Sequence, residues 1–189
     1  MDEALLVWTN QSWAHPWNDV LFSWVSDRST FAFPLMAILL ALSLKHYGRD
    51  GVRLWLALLA LIIVGDALGN LLKHLWAQPR PCYVIAELLR LPNGRCGPQL
   101  NGIPSNHALN FFAAATFMSF MTRSRGWALT LFCIALLVAL SRVYLGKHYP
   151  SQVLTGAVTG TLLAYLAALI GVQYSDFMRR IRHPHEQLR

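Results

Sequence analysis

The chain has 189 residues, of which 55% are hydrophobic and only 13% are charged, and its mean hydropathy is +0.39. Soluble domains carry about a quarter charged residues, so this composition excludes an ordinary soluble protein and favours an integral membrane protein. The net charge of +7 is spread over loops between apolar runs, and membrane orientation explains it better than nucleic-acid binding. A single domain over residues 1–189 is expected, because no region shifts to a linker-like composition.

The first segment, residues 1–28, is rich in tryptophan and in acidic and amide side chains. Tryptophan prefers the headgroup layer of a membrane, so the pattern predicts an interfacial helical segment, with one or two helices over residues 3–27. The opening residues, Met1-Asp-Glu-Ala, carry no basic n-region, and no cleavable signal peptide is expected.

Five apolar runs follow this segment, and their lengths favour helices that cross a membrane. They cover residues 31–47, 54–72, 107–121, 127–140 and 153–172. Gly65 and Gly69 in the second run, and Gly156 and Gly160 in the fifth, form small faces for close helix contact. The sequence therefore predicts an all-α, polytopic membrane helix bundle with about five transmembrane helices.

The charges of the loops predict how this bundle is oriented. The 45–53 loop, the 123–125 loop and the tail at residues 173–189 are basic, which is typical of the cytoplasmic side. The N-terminus is then outside, and the 73–106 loop and the 141–152 turn face outward with it.

The cysteines are interpreted from the same topology. Cys82 and Cys96 lie in the outward 73–106 loop, where an oxidising compartment favours a disulfide between them. Cys133 lies inside an apolar run and is expected to be a small buried hydrophobe.

Three polar stretches lie at ends of apolar runs, at residues 73–81, 104–107 and 141–152. Charged groups at a membrane boundary are costly unless they face a cavity or one another, so these stretches are candidates for function. On the predicted topology all three lie on the outer side, where we expect them to converge.

The residue types in these stretches point to phosphate chemistry. Lys73, Arg80 and Arg142 have no matching acids and need an anion, and the arginine fork suits phosphate oxygens. His107 and His148 can move protons near neutral pH. No cluster of acids is available for Mg²⁺, so the pattern indicates phosphoryl transfer with neither a metal nor another cofactor.

At these residues the chain resembles the type-2 phosphatidic acid phosphatase family, which is related to bacterial acid phosphatases and vanadium haloperoxidases. The family pattern is K-x6-RP, then PSGH, then SR-x5-H-x3-D. Here it reads Lys73-His-Leu-Trp-Ala-Gln-Pro-Arg80-Pro81, then Pro104-Ser105-Asn106-His107, then Ser141-Arg142 with His148 and Gln152. The apolar runs around the motifs suit the membrane-bound branch of the family.

The resemblance implies a role for each matching residue. His148 is expected to attack phosphorus and form a phosphohistidine, and His107 to protonate the leaving lipid oxygen. The phosphate is expected to be bound by Lys73, Arg80, Ser105, Asn106 and Arg142. The implied location is the inner (cytoplasmic) membrane of a bacterium, with the site facing the periplasm or the extracellular side.

Two positions depart from the family pattern. Asn106 replaces glycine, and asparagine is the best substitute where a left-handed backbone is required. Gln152 replaces the aspartate that orients the nucleophilic histidine; its amide oxygen can accept the imidazole N–H of His148 but cannot stabilise an imidazolium as a carboxylate does. Asp66 is a possible helper, although a helix-packing role suits it better.

The resemblance implies a metal-independent lipid phosphatase that acts on a phosphate or pyrophosphate monoester of a membrane lipid. It leaves undecaprenyl pyrophosphate, lipid A, phosphatidylglycerol phosphate and phosphatidic acid open as substrates. The alternative is a catalytically impaired lipid-phosphate-binding or scaffold protein, in which Gln152 marks lost chemistry. The expected partners are the lipid substrate and the bilayer, without nucleic acid, and the oligomeric state is left open.

Overall fold

The computed structural model describes residues 1–92, 94 and 96–182, which form a helical bundle. Its α-helices are α1 (Asp2–Ser12), α2 (Pro16–Ser26), α3 (Phe33–Trp76), α4 (Pro81–Val84), α5 (Asn106–Thr122), α6 (Arg125–Tyr144), α7 (Pro150–Tyr174) and α8 (Asp176–Arg182). By length and hydropathy, Arg28–Trp76, Arg125–Tyr144 and Pro150–Tyr174 qualify as membrane spans. The predicted all-α, polytopic membrane bundle is confirmed, while the number of five spans stays a prediction.

Helix α3 contains a sharp reversal at Gly48, whose φ of 54° and ψ of −128° are not helical. The two arms, residues 33–47 and 49–76, therefore run back along each other. Trp55 Nε1 of the second arm donates to the carbonyl of Met36 in the first arm at 3.0 Å. The arms match the first two predicted spans. The second arm, however, continues to Trp76, so Lys73 lies in the last turn of a helix and not in the predicted loop.

Helix α5 is the centre of the bundle, since it packs against α3, α6, α7 and α8. The glycine faces predicted in the second and fifth runs make this packing close. A side chain at Gly160 would collide with the carbonyl of Leu109, and one at Gly65 would meet the Leu109 side chain at 2.8 Å. Main chains can approach this closely only where no Cβ intervenes.

The N-terminal segment forms two helices, α1 and α2, as predicted, and it packs against the polar end of the bundle. Asn10 donates to the carbonyls of Arg90 and Tyr144 at 2.8 and 2.7 Å. Asp19 accepts from the Tyr144 hydroxyl at 2.5 Å and pairs with Arg90 at 2.9 Å. Asp2 accepts from the backbone of Ser151 at 2.9 Å. The location of the N-terminal segment at the membrane interface stays a prediction.

The C-terminal segment differs from the predicted basic tail at residues 173–189. Helix α7 extends to Tyr174, and α8 then folds back onto the bundle with Met178 and Ile181 buried. Arg180 pairs with Asp50 of α3 at 2.9 Å. Residues 175–182 thus pack on the bundle through the apolar face of α8, whereas the cytoplasmic location of the basic tail stays a prediction; residues 183–189 lie outside the described part of the chain.

The predicted disulfide is present, with Cα atoms of Cys82 and Cys96 5.6 Å apart and 14 positions between them in sequence. The prediction for Cys133 is wrong, because this side chain is exposed on α6. An apolar side chain on the outside of a membrane helix contacts lipid at no cost, so burial in the protein is not required of it.

Candidate active site

The structure brings the three polar stretches together at one end of the bundle. Ser105 N–H donates to the carbonyl of Gln152 at 3.0 Å, and Gln152 Nε2 donates to the carbonyl of Pro79 at 3.0 Å. Lys73 Nζ donates to Asn106 Oδ1. These bonds connect the end of α3 and the loop before α4 to the first turns of α5 and α7.

Gln152 fixes the tautomer of His148. Its amide nitrogen donates to Gln78 Oε1 and Pro79 O, at 3.2 and 3.0 Å, so its Oε1 must face His148 Nδ1, 3.1 Å away. An amide oxygen only accepts, and Nδ1 therefore carries the proton. Gly102 lies so close to this amide that any side chain at position 102 would collide with it. The result is an unprotonated Nε2 on a buried imidazole.

The surroundings of His148 keep its imidazole neutral. Burial lowers the pKa of His148 well below its usual range, and the positive charges of Arg142 and Arg80 lower this pKa further. The hydrogen bond that His148 donates to Gln152 opposes the shift only weakly, because a neutral amide stabilises an imidazolium less than a carboxylate does. A neutral imidazole with a free nitrogen is the form that can act as a nucleophile.

Two buried arginines flank this histidine, and neither forms an ion pair with an acid among the described residues. Arg80 and Arg142 are 9% and 5% exposed, and the Nε–H group of each has no hydrogen-bond partner within the described residues. Arg142 Nη1 donates to Ser26 Oγ, and Arg80 Nη2 lies 3.5 Å from Gln99 Oε1. A buried guanidinium without an acid is expensive, and the unused donors indicate a site for an anion.

Asn106 of α5 contacts three residues of α3 through its side chain. Its Oδ1 accepts from Lys73, and its Nδ2 donates to Asp66 Oδ1 at 3.0 Å and to Asn70 Oδ1 at 3.2 Å. The backbone prediction for Asn106 is wrong: it lies in the first turn of α5, and its φ is not positive. The asparagine therefore substitutes for the family glycine as a polar connector and not as a left-handed residue.

Asp66 does not take the place of the missing family aspartate. Its carboxylate accepts from Asn106 Nδ2 and from Asn110 Nδ2, the latter at 2.8 Å. His148 is bonded to Gln152 instead. The helper hypothesis for Asp66 is wrong, and the helix-packing interpretation is confirmed.

Ser105 and His107 complete the set predicted from the motifs. Ser105 is fully buried, and its hydroxyl has no hydrogen-bond partner in the described part of the chain. His107 Nε2 lies 3.1 Å from the carbonyl of Ser26, which only accepts, so Nε2 carries a proton. A free hydroxyl thus lies beside the arginines, and Nδ1 is the ring nitrogen of His107 that Ser26 does not engage.

A cavity of about 490 Å³ opens from His107 between the two arms of α3 and helices α5 and α6. Its wall is mainly apolar, with Met36, Trp55 and Phe111 among the lining residues. At one end it is polar, where Arg28 and His107 lie beside residues of the asparagine network. The cavity has the form of a site for an apolar chain attached to a polar group.

Sequence reasoning assigned no role in the site to Lys147, Ser26 or Gln78. Lys147 is half-buried, and burial, followed by the charges of Arg142 and Arg80, lowers the pKa of Lys147 to about 8. Its position next to His148 was a usable signal. Ser26 and Gln78 reach the site only through the packing of α2 and the course of the loop after α3, and no sequence pattern marks them.

Comparison with known proteins agrees with this geometry. A lipid A 4'-phosphatase from Bacteroides thetaiotaomicron is 33% identical over 132 residues, covering 67% of this chain and 58% of that protein. The undecaprenyl-diphosphatase BcrC of Bacillus subtilis is 28% identical over 117 residues, covering 62% of this chain and 55% of that protein. The chain thus spans little more than half the length of these curated relatives.

The fold and the motif region lead to the same family. The crystal structure of a transmembrane PAP2 type phosphatidylglycerolphosphate phosphatase from Bacillus subtilis has a TM-score of 0.69, covers 93% of this chain and 87% of that chain, and is 23% identical. Residues 53–175, which include all three motif stretches and both histidines, match the PAP2 superfamily. With its motifs on a bundle of that shape, the chain belongs to the PAP2 superfamily.

Proposed function

We propose that this protein is a metal-independent lipid phosphatase that hydrolyses a phosphate or pyrophosphate monoester of a membrane lipid. One observation carries the proposal: a neutral histidine with a free Nε2 lies among buried arginines that have unused donors. The tautomer of His148 is fixed by Gln152 at 3.1 Å, and the Nε–H groups of Arg80 and Arg142 have no partner within the described residues. Such an arrangement binds phosphate and attacks it.

In the first step, Nε2 of His148 donates its lone pair to phosphorus. The bond between phosphorus and the lipid oxygen breaks, and its electron pair stays on that oxygen. With the phosphate anion bound, His107 acts as an imidazolium: its Nε2–H stays on the carbonyl of Ser26, and its Nδ1 proton passes to the leaving oxygen. The products of the step are the dephosphorylated lipid and a phosphohistidine at His148.

In the second step, water replaces the histidine. His107 has lost its proton and can now take one from water, whose oxygen attacks phosphorus. The bond between phosphorus and Nε2 breaks, and the electron pair returns to His148. Inorganic phosphate leaves, and both histidines regain their starting protonation.

The remaining residues stabilise the charge that develops on phosphorus. Arg80 and Arg142 offer forks for two phosphate oxygens, and Lys73 adds a point charge. The Ser105 hydroxyl and the free N–H of Asn106 at the start of α5 are further donors. Gln152 keeps Nδ1–H in place while Nε2 bonds to phosphorus.

The cavity supports a lipid substrate. Its apolar wall begins at His107, so a leaving lipid oxygen near His107 places the attached chain in the cavity. Among the relatives, one is named a lipid A 4'-phosphatase and another an undecaprenyl-diphosphatase. These two lipids are the first substrates to test, followed by phosphatidylglycerol phosphate and phosphatidic acid.

The orientation of the site is also proposed. Arg180 of α8 pairs with Asp50, and Trp127 at the start of α6 lies beside His46 and Tyr47, so the basic loops share the end away from the site. The positive-inside rule then favours the periplasmic side of a bacterial inner membrane for the site. A membrane-impermeant thiol reagent applied to intact cells should label Glu3→Cys but not Arg125→Cys, in a Cys133→Ser background. The reverse labelling would contradict the orientation.

Phosphate release from a panel of lipid phosphates in detergent with EDTA tests the function. Within the described residues, no three His, Cys, Asp or Glu side chains are grouped to hold a metal, and EDTA should leave the rate unchanged. Brief reaction with ³²P-labelled lipid should label the protein through an acid-labile, base-stable bond, and His148→Ala should prevent this. Retained lipid-phosphate binding without release from any substrate would favour the scaffold alternative.

A further inference from the structure

Arg28 is an exposed cation that the motifs do not include. It begins the π-helical turn Arg28–Ala32 between α2 and α3. Oδ1 of the adjacent Asp27 accepts from the backbone N–H groups of Ser29 and Thr30 at 2.9 Å each, and Asp27 forms no ion pair with Arg28. Arg28 takes part in none of the ion pairs formed by the described residues. Its guanidinium is therefore available to an external anion.

Arg28 lies on the side of the site where we expect the lipid leaving group. Arg28 and His107 line the same polar end of the cavity. Ser26 holds the chain that leads to Arg28 against the site, because its carbonyl lies 3.1 Å from His107 Nε2 and its hydroxyl accepts from Arg142. A further cation thus borders the site where the lipid chain departs from it.

Lipid monophosphates and lipid diphosphates have leaving groups that need different stabilisation near His107 and Arg28. When a monophosphate is cleaved, the leaving oxygen is an alkoxide, which needs the proton of His107. When a diphosphate is cleaved at its terminal phosphorus, the leaving group is a lipid phosphate. A phosphate monoester loses its second proton at a pKa of about 6, so it leaves readily without a proton but carries negative charge. That charge develops on the cavity side of His107.

We propose that Arg28 binds the leaving phosphate of a lipid diphosphate and thereby selects diphosphate lipids over lipid monophosphates. The inference rests on the proposed function. In the reaction, the bond between the terminal phosphorus and the bridging oxygen breaks, and its electron pair stays on the lipid phosphate beside Arg28. His148 carries the terminal phosphoryl group until water releases it. Asp66 at the same end accepts from Asn106 and Asn110 and forms no ion pair with Arg28 that the lipid phosphate would have to displace.

Two substrates with one chain, farnesyl diphosphate and farnesyl monophosphate in detergent, test the inference on the full-length protein. Arg28→Ala should lower kcat/KM for the diphosphate by about 30-fold, the size expected for a charge-assisted hydrogen bond, and for the monophosphate by several-fold less. Arg28→Lys should recover part of the diphosphate activity, because it keeps the charge and loses the fork. The matched control Arg125→Ala, exposed at the other end of the bundle, should change neither value.

A second variant and a binding measurement separate the outcomes. His107→Ala should show the opposite preference, with the larger loss for the monophosphate, whose leaving group needs the proton. Methylenediphosphonate, which cannot be hydrolysed, should bind about tenfold more weakly to Arg28→Ala, whereas orthophosphate binding should change less. Equal losses for both substrates, or unchanged methylenediphosphonate binding, would overturn the role of Arg28. If the unaltered protein released phosphate from no lipid, the proposed function would fail and this inference with it.

Discussion

The two ends of the bundle contain the same kind of side chain in opposite circumstances. Away from the site, Asp50 pairs with both Arg53 and Arg180, at 2.8 and 2.9 Å, and these arginine side chains are 57% and 39% exposed. At the site, Arg80 and Arg142 are 9% and 5% exposed and have no acidic partner within the described residues.

The contrast shows what each group of cations does for the protein. Exposed ion pairs cost little and contribute little, so arginines at the far end can serve membrane orientation alone. A buried cation without a partner costs several kcal/mol, and a fold retains it only if something else offsets that cost. In the proposed function a bound phosphate offsets this cost at the site end, which makes the burial of a basic residue a better sign of function than its presence in a loop.

The strongest test of the contrast compares His148 with Arg53. His148→Ala removes the atom that attacks phosphorus and should lower kcat by at least about 10⁴-fold, as loss of a nucleophile does in other covalent enzymes. Arg53→Ala, in the exposed pair with Asp50, should leave kcat unchanged. Lipid phosphate hydrolysis in detergent gives both rates. If His148→Ala kept more than a few per cent of the activity, the phosphohistidine mechanism would be wrong.

Stability and activity should separate at Arg142. Arg142→Met should reduce kcat/KM by about 10²–10³-fold, as expected for loss of a donor to the transition state. The same change should raise Tm, because replacing a buried charge with a hydrophobic side chain often stabilises a protein by about 1–4 kcal/mol. Arg180→Met, at the exposed end, should leave both quantities nearly unchanged.

Thermal unfolding with and without orthovanadate, a phosphate analogue, measures this difference. The unaltered protein should gain Tm when vanadate fills the site, and Arg142→Met should gain less. A fall in Tm for Arg142→Met without ligand would show that this guanidinium stabilises the fold by itself. The contrast between the two ends would then fail.

How much of the fold the sequence predicts depends on how far apart in the chain the residues that determine each feature lie. The motif residues and the two arms of α3 follow from spacing and apolar runs, which are local patterns. The glycine faces of α3 and α7 follow from their four-residue spacing. In contrast, the return of α8 to the bundle depends on Met178 and Ile181 filling a space between other helices, which no local pattern specifies.

The site shows the same division. The contact between His148 and Gln152 was predictable because the two residues are one helical turn apart. The donation of Gln152 Nε2 to Pro79 and Gln78, and the bridging role of Ser26, join residues more than 70 positions apart. The family glycine led to a backbone prediction for Asn106 that fails, because the side chain found partners on α3.

Gln152→Asp should have a smaller effect than the changes at His148 and Arg142. A carboxylate would stabilise the imidazolium, but it cannot donate to Pro79 O and Gln78 Oε1 as the amide does. We therefore expect kcat to rise only several-fold, well below the ~10⁴-fold effect of the corresponding aspartate in a protease triad. Gln152→Glu keeps the length of glutamine and should be tested together with Gln152→Asp. Gln152→Ala should be slower than the unaltered protein.

The pH profile gives Gln152→Asp a second readout. The pKa of His148 is held well below its usual range, so the neutral nucleophile persists as pH falls, and kcat/KM is lost only below that range. A carboxylate at position 152 raises the pKa of His148, so the acid side of the profile should move to higher pH. If Asp, Glu and Ala variants all had the kcat and profile of the present chain, Gln152 would have no part in orienting His148.

The smallest expected effect is at Lys147, which lies between the two classes of cation because it is only half-buried. Its pKa is lowered to about 8 by burial and by the charges of Arg142 and Arg80. Lys147 is therefore charged below pH 8 and neutral above it, so its contribution to phosphate binding should disappear as pH rises through this value. We expect kcat/KM to fall by about threefold there, the size of a partly exposed charged contact. Lys147→Arg stays charged and should keep the full value above pH 8, whereas Lys147→Met should show the lower value at every pH. A fall in kcat/KM that is identical in Lys147→Arg would assign this titration to another group, with Lys73, the other lysine of the site, as the first to examine.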